Sequence, residues 1–148
     1  MPIRPELRKF YTGPEWKAAR SRILARAGNC CEQCGKPNGE RVEIHTGKMI
    51  NILRHAGLPT MFWRAVSCGW RDQWGKAVLP SRTFGWKTRT ITVVLTVGHL
   101  NHVAGDDRDE NLRAFCQWCH LNFDQSHHRE TRSIRKDSGR PLLEVAHV

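Results

Sequence analysis

The sequence has no long hydrophobic run. None of its 148 residues lies in a stretch approaching the roughly 18 consecutive apolar residues that a membrane span requires. The opening residues, Met1-Pro2-Ile3-Arg4-Pro5, lack the apolar core of a secretory signal. Internal repeats and low-complexity segments are missing as well. We therefore expect no membrane association, and a single cytoplasmic domain covering residues 1–148.

Acidic residues are scarce, with 14 Asp and Glu against 24 Lys and Arg, which gives a formal charge of +10 at pH 7. This excess favours a polyanionic partner, and nucleic acid is the first candidate. Residues 98–128 depart from the trend, because they hold five acidic and two basic side chains. We expect this acidic segment to be flanked by basic arms. The predicted nucleic-acid contacts are Lys17, Arg20, Arg64, Arg71, Lys87 and Arg89.

Local patterns predict a few elements. A helix is expected from Pro14 to about Ala27, since proline suits a first helical turn and Gly28 ends the pattern. Its basic side chains are equally compatible with a solvated surface. The β-branched segment Thr90–Val97 predicts one strand, and residues 47–56 a possible short helix. The buried stripe of the first helix would consist of Trp16, Ala19, Ile23 and Ala27.

The string NLRAFCQWCHLNFDQ follows a polar loop at 105–110, and its spaced apolar residues favour a helix capped by Asp109 or Asn111. Four tryptophans occur between residues 63 and 86, where core packing is favoured over contact with bases. They are Trp63, Trp70, Trp74 and Trp86.

Six cysteines in a chain without an export signal are better interpreted as thiols or metal ligands than as disulfides. Two C-x2-C knuckles, Cys31 to Cys34 and Cys116 to Cys119, together provide four thiolates for one tetrahedral Zn²⁺ ion. Four thiolates leave no open coordination position, so this ion would be structural. Cys30 and Cys68 are expected to be non-ligands.

A second group of polar residues surrounds the later knuckle, and a structural zinc site does not need it. His120 and Asp124 stand four residues apart, which on a helix places an imidazole and a carboxylate on one face, as a divalent ion requires. His99 and His102, at the end of a predicted strand, could face the same ion. A neutral histidine is also the natural base for deprotonating water near pH 7. The full group is His99, Asn101, His102, Asn111, His120 and Asp124.

Two strings carry these residues, EWKAARSRILARAGNCCEQCG and TVGHLNHVAGDDRDENLRAFCQWCHLNFDQSHH. In order and spacing they resemble the HNH endonucleases, particularly short phage-encoded members with a four-cysteine zinc site. The resemblance covers residues 14–37 and 90–128, and it leaves 38–89 as an insertion and 129–148 as a basic tail. It implies an α+β fold with a ββα-metal core: a hairpin bearing the first histidine, then a helix bearing the metal ligands. The zinc site and an N-terminal helix complete this core.

The resemblance also implies roles. His99 corresponds to the general base, His120 to the closing histidine and Asp124 to a second helical ligand of a catalytic Mg²⁺ or Mn²⁺ ion. Asn111 either supports the loop that aims the base or binds metal. Gly98 departs from the family, in which many members carry an Asp or His ligand at this position.

Asn101 also departs, since the short phage members often carry Asp there. Either His102 completes the coordination or metal affinity is reduced, and the exchanged assignment, with Asn101 as ligand and His102 as base, stays open. His127 and His128 resemble a family feature but are expected at a solvated helix end. His45, His55 and His147 are expected to have no functional role.

The function predicted from the sequence is a metal-dependent endonuclease that nicks DNA, located in the host cytoplasm if phage-encoded. One alternative is a zinc-stapled DNA-binding module that does not cut. Another is an accessory protein of phage DNA packaging that acts with a terminase. The patterns leave open the choice between DNA and RNA and the oligomeric state.

Overall fold

The computed structural model describes residues 5–47, 50–79 and 86–138, and within them the chain has a mixed α+β fold. The helices are α1 (Lys9–Thr12), α2 (Pro14–Arg26), α3 (Ile50–His55), α4 (Gln117–Phe123) and α5 (Gln125–Ser138). The strands are β1 (Arg41–Gly47), β2 (Met61–Ala65), β3 (Cys68–Asp72), β4 (Trp86–Thr92), β5 (Leu95–His99) and β6 (Leu112–Cys116). Within these residues, no helix is long and apolar enough to cross a membrane.

The central segment, for which the sequence suggested only a possible short helix, builds most of a four-stranded antiparallel sheet in the order β3-β2-β1-β4. Strand alternation explains its core face, because Val42 and Ile44 of β1 are buried beside the fully buried Trp63 of β2. The boundary expected between residues 89 and 90 falls inside β4, which pairs with β1 along its whole length. The predicted boundary at residue 89 therefore does not coincide with the end of a strand, and the insertion at 38–89 stays a prediction.

The strand predicted for Thr90–Val97 is instead two strands, and the prediction of one continuous strand is wrong. Val93 and Val94 interrupt it: the Val93 N–H donates to the Glu40 carbonyl, and the Gly39 N–H donates to the Val93 carbonyl. Both bonds join Val93 to the residues that directly precede β1. After Val94 the chain enters a separate two-stranded antiparallel hairpin formed by β5 and β6.

The helix predicted for NLRAFCQWCHLNFDQ begins later than expected. Residues 112–116 form β6, with pairs running from His99↔Leu112 to Leu95↔Cys116, and the helix starts at Gln117 after Cys116 as its N-cap. The two predicted caps, Asp109 and Asn111, lie in a 3₁₀ turn before β6. Pairing across the hairpin and burial outweigh the local helical spacing here.

Helix α2 confirms the prediction for Pro14–Ala27 to within one residue. Its stripe packs on the hairpin, where Trp16, Ala19 and Ile23 meet Val97, Leu112 and Ala114. The possible short helix at 47–56 corresponds to α3. The segment expected to be a tail contributes to α5 up to Ser138, while His147 lies outside the described residues.

Among the tryptophans expected to pack, Trp63 is buried and Trp70 is half-buried, whereas Trp74 is exposed. The side chain of Trp86 lies outside the described residues.

Candidate functional site

The two knuckles meet as the sequence predicts. Cys31 and Cys34 lie in a turn after α2, Cys116 ends β6 and Cys119 lies in α4, and all four are buried. Their sulfur atoms lie within 4.8 Å of one another. In a tetrahedral site with Zn–S bonds of about 2.3 Å, neighbouring sulfurs stand about 3.8 Å apart. The 3.7 Å between the Sγ atoms of Cys34 and Cys116 fits that geometry, so the cluster can bind a metal such as zinc.

The electrostatics of the cluster favour a cation. Contacts with Cys116, Cys31 and Cys34, followed by burial, raise the pKa of the Cys119 thiol, whereas contacts with Cys116 and Cys119 lower the pKa of Cys31. Four crowded sulfurs therefore do not all ionise on their own. A positive ion between them removes this conflict, because thiolates are the form that binds zinc. Cys30 and Cys68 lie outside the cluster, as predicted.

Lys36 is a part of this centre that sequence reasoning missed. Its side chain is 1 % exposed, and its Nζ lies 3.5 Å from the Sγ of Cys34. The ammonium also lies 5.0 Å from the ring centroid of Trp63 and 5.9 Å from that of Trp118. A buried lysine is rare unless it is paired, and here the Lys36 ammonium is placed beside a cysteine sulfur and two aromatic rings.

Glu32 connects the first knuckle to the hairpin. Its Oε2 accepts a 2.7 Å hydrogen bond from the Ala114 N–H, and both of its oxygens accept hydrogen bonds from Arg26. Arg26 in turn donates to the Leu112 carbonyl. Helix α2, the knuckle and β6 are thus joined by charge-assisted hydrogen bonds.

A cleft of about 550 Å³ opens beside the hairpin, and residues of α1, α2, α4, α5 and β5 all contribute to its walls. It contains four of the six residues that the sequence grouped together. Its lining is formed by Tyr11, Trp16, Arg20, Thr96, Val97, Gly98, His99, His102, His120, Asp124, His127 and His128.

Asp124 is approached by imidazoles from three directions. Its Oδ2 lies 3.4 Å from His120 Nε2 and 3.9 Å from His128 Nε2, and its Oδ1 lies 3.6 Å from His102 Nδ1. His120 Nδ1 is 2.7 Å from Thr96 Oγ1. An Nδ1–H donated to that hydroxyl leaves His120 Nε2 as the lone-pair nitrogen facing Asp124.

These cleft groups are more widely spaced than the cysteines. In the part of the chain that the structure describes, the four cysteines are the one group of three or more His, Cys, Asp or Glu residues whose ligand atoms all lie within 4.8 Å of one another. Gly98 lies against the cleft, and a Cβ atom there would stand 2.9 Å from His120 Nε2. The absence of a side chain at Gly98 therefore leaves room for this imidazole.

His99 lies at the end of β5 with its side chain 4 % exposed. Its ring stacks on Trp16 at a centroid distance of 5.3 Å and meets the edge of Tyr11 at 5.9 Å. Its Nε2 lies 2.8 Å from Asp107 Oδ1, a partner absent from the sequence prediction. Burial, and then the charges of Asp107 and Asp124, raise the pKa of Tyr11.

The two asparagines hold the loop between β5 and β6. Asn111 is buried, and its Nδ2 donates to Asn101 Oδ1 and to the Asp106 carbonyl, while its Oδ1 accepts from the Asn101 N–H. The Asn101 amide donates to Asp106 Oδ2, and its oxygen also accepts from the Val103 N–H. Asn111 is thus placed to support the loop, and Asn101 lies outside the cleft lining.

His102 adopts a left-handed backbone with φ of 58° and stacks on His127 at 4.3 Å and on Phe123 at 5.1 Å. Desolvation, and then the nearby His127, lower its pKa, against the opposing effect of Asp124. His127 and His128, predicted at a solvated helix end, lie near the start of α5, where both are half-buried and line the cleft. Their position follows from helix geometry, because His128 stands four residues after Asp124.

The basic residues predicted to contact nucleic acid occupy different places. Arg20 lines the cleft and donates to the Leu95 carbonyl at 3.3 Å. Three others are exposed: Lys17 on α2, and Lys87 and Arg89 on β4. Arg20 is therefore the predicted contact that stands beside the histidines.

Arg64 and Arg71 lie on the four-stranded sheet and have partners within the chain. Arg64 donates to Glu43 Oε2 at 2.7 Å and lies 5.0 Å from the ring centroid of Trp70. Arg71 donates to the Gly75 carbonyl at 3.0 Å. Both side chains are thus oriented by intramolecular contacts, which limits the donors that they offer to a ligand.

Comparison of the chain with protein-family models, curated proteins and solved structures returned no match.

Proposed function

We propose that this chain is a metal-dependent endonuclease of the HNH type that hydrolyses DNA phosphodiester bonds. The observation that carries the proposal is the convergence of His99, His102, His120 and Asp124 with Arg20 in one cleft. The hairpin β5–β6 followed by α4 presents these groups in the order that the resemblance implies for a ββα-metal core. The chain's charge of +10 is consistent with a polyanionic substrate.

The cleft has the donor set for one divalent ion. His120 and Asp124 would hold it, with His102 as a third ligand. One Asp124 oxygen lies 3.4 Å from His120 Nε2 and the other lies 3.6 Å from His102 Nδ1, and both separations are too long for strong hydrogen bonds. When bound, Mg²⁺ or Mn²⁺ would neutralise charge on the phosphate and on the leaving oxygen.

The chain's own residues supply the remaining chemistry. His99 accepts one proton from a water molecule as the water oxygen bonds to phosphorus, and the bond from phosphorus to one bridging oxygen breaks. That oxygen takes up a proton from solvent. Arg20 lines the cleft and donates one N–H to the Leu95 carbonyl, and its other N–H donors contact the phosphate. The described residues form one such cleft, so one chain would cut one strand in each event.

The proposal predicts that the purified chain converts supercoiled plasmid to the nicked circle with Mn²⁺, and that EDTA stops the reaction. His120→Ala and Asp124→Asn should each lower the rate by about 100-fold or more, because each removes a ligand of the ion. His55→Ala, the same change on the distant α3, should leave the rate unaltered.

EDTA could stop nicking by removing the cleft ion or by removing zinc and unfolding the chain. Circular dichroism of the EDTA-treated chain distinguishes these causes, because it shows whether the chain is still folded. Nicking by a folded chain in EDTA would contradict a metal-dependent centre. DNA binding without cutting, with either Mg²⁺ or Mn²⁺ present, would overturn the nuclease proposal and favour the non-catalytic DNA-binding module.

A further inference from the structure

We propose that Asp107 is the positioning residue of His99, selecting which nitrogen of the imidazole accepts the proton. This inference rests on the proposed function, because it concerns the base of that reaction. The geometry that carries it is the 2.8 Å contact between Asp107 Oδ1 and His99 Nε2. A carboxylate offers only acceptor oxygens, so the contact is a hydrogen bond when Nε2 carries the proton.

The tautomer follows from that contact. A neutral imidazole with its proton on Nε2 has its lone pair on Nδ1, so Nδ1 is the nitrogen that accepts a proton from water. Asp107 then faces the positively charged ring that forms, and stabilises it without becoming protonated itself. His99 lines the cleft whereas Asp107 does not, so the carboxylate supports the base from outside the reaction space.

The ring is held on its other sides as well. Trp16 stacks on one face with an interplanar angle of 23°, and Tyr11 presents its edge at 71°. With 4 % of the His99 side chain exposed, these contacts restrict rotation of the ring. The hydrogen bond to Asp107 therefore fixes a single orientation of the His99 ring. A group that orients the base in this way is a common part of catalytic arrangements.

The carboxylate itself is held by the loop between β5 and β6. Neighbouring Asp106 accepts hydrogen bonds from Arg108 at 2.7 and 2.8 Å and from Asn101 at 2.8 Å. Asn111 donates to the Asp106 carbonyl from the far end of the loop. Within the proposed site, Asn101 and Asn111 therefore position the loop so that Asp107 lies against His99.

The first measurement is the ¹⁵N NMR spectrum of the His99 ring in the full chain, which needs no nuclease activity. We expect the Nε2–H tautomer in the wild-type chain, and a mixed or Nδ1–H population in Asp107→Asn. A wild-type ring with its proton on Nδ1 would overturn the proposal.

The second measurement is the steady-state rate of plasmid nicking. Asp107→Asn should lower kcat by about 100-fold or more and leave KM for DNA within about twofold, because the variant disturbs the base and not the binding surface. Asp107→Glu keeps the carboxylate and should recover part of kcat. Glu110→Gln removes one charge from the same region and should change neither constant.

The two proposals fail in different ways. A wild-type chain that nicks DNA, with Asp107→Asn equally fast, would refute the role of Asp107 and leave the nuclease proposal intact. A wild-type chain that does not nick DNA refutes the nuclease, and the NMR tautomer then decides alone whether Asp107 positions His99.

Discussion

A chain carrying Cys116→Ser should bind little zinc and should lose its cooperative thermal unfolding transition. The Cys116 sulfur belongs to a buried cluster that joins the turn after α2 to β6 and α4, across a separation of 82 residues from Cys34. Structural zinc contributes about 10–16 kcal/mol in small metal-folded domains at pH 7. Because a whole domain is typically stable by only about 5–15 kcal/mol, loss of one ligand should leave the fold unsupported.

The measurements are zinc content by mass spectrometry and thermal unfolding followed by circular dichroism. Cys30→Ser and Cys68→Ser make the same change at half-buried cysteines outside the cluster, and both should retain zinc and the transition. One zinc ion per chain together with an unchanged melting temperature in Cys116→Ser would show that the four sulfurs do not form a structural metal centre.

The features predicted correctly from the sequence are those that depend only on short local patterns of residues. Helix α2 has its proline at the start, a glycine after its end and an apolar stripe, so its bounds follow from chain-local rules. The knuckles are recognisable because two residues between paired cysteines is a spacing that metal geometry imposes. Neither inference needs knowledge of the elements that pack against the segment.

The features predicted wrongly depend on contacts far along the chain. Leu112 and Phe115 have helical spacing, yet they lie in a strand because β5 supplies hydrogen bonds along that edge. Val93, where the predicted single strand is interrupted, is hydrogen-bonded to Gly39 and Glu40, which directly precede β1. No local pattern contains that information, and tertiary pairing decides such segments.

The cleft residues also differ in whether local sequence patterns could predict their positions. The closeness of His120 and Asp124 is predictable, because residues four apart share a helix face. Backbone hydrogen bonds from Asp124 to His120 and from His128 to Asp124 continue this spacing across the junction of α4 and α5. Asp107 could not have been singled out from its acidic neighbours. Its contact with His99 arises from the path of the loop, which Asn101 and Asn111 fix through tertiary hydrogen bonds.

Lys36→Met should lower the free energy of unfolding by about 3–5 kcal/mol, the range found when one partner of a buried ion pair is removed. Four thiolates around Zn²⁺ carry a net charge of −2, and the Lys36 ammonium lies 3.5 Å from one of those sulfurs in a fully buried position. Methionine has a similar length and packs well against the neighbouring Trp63 and Trp118 rings. The variant therefore removes the charge while retaining most of the packing.

The sign of the change in unfolding free energy distinguishes two cases. Replacing an uncompensated buried ammonium by an apolar side chain should stabilise the protein. Removing the counter-charge of an anionic sulfur cluster should destabilise it. Urea-induced unfolding measures the sign, and the rate of zinc transfer to a chelator should rise in the same variant. Lys76→Met, at an exposed lysine, controls for loss of charge alone. Greater stability in Lys36→Met than in the wild type would mean that the four sulfurs do not carry the negative charge that a zinc-bound tetrathiolate requires.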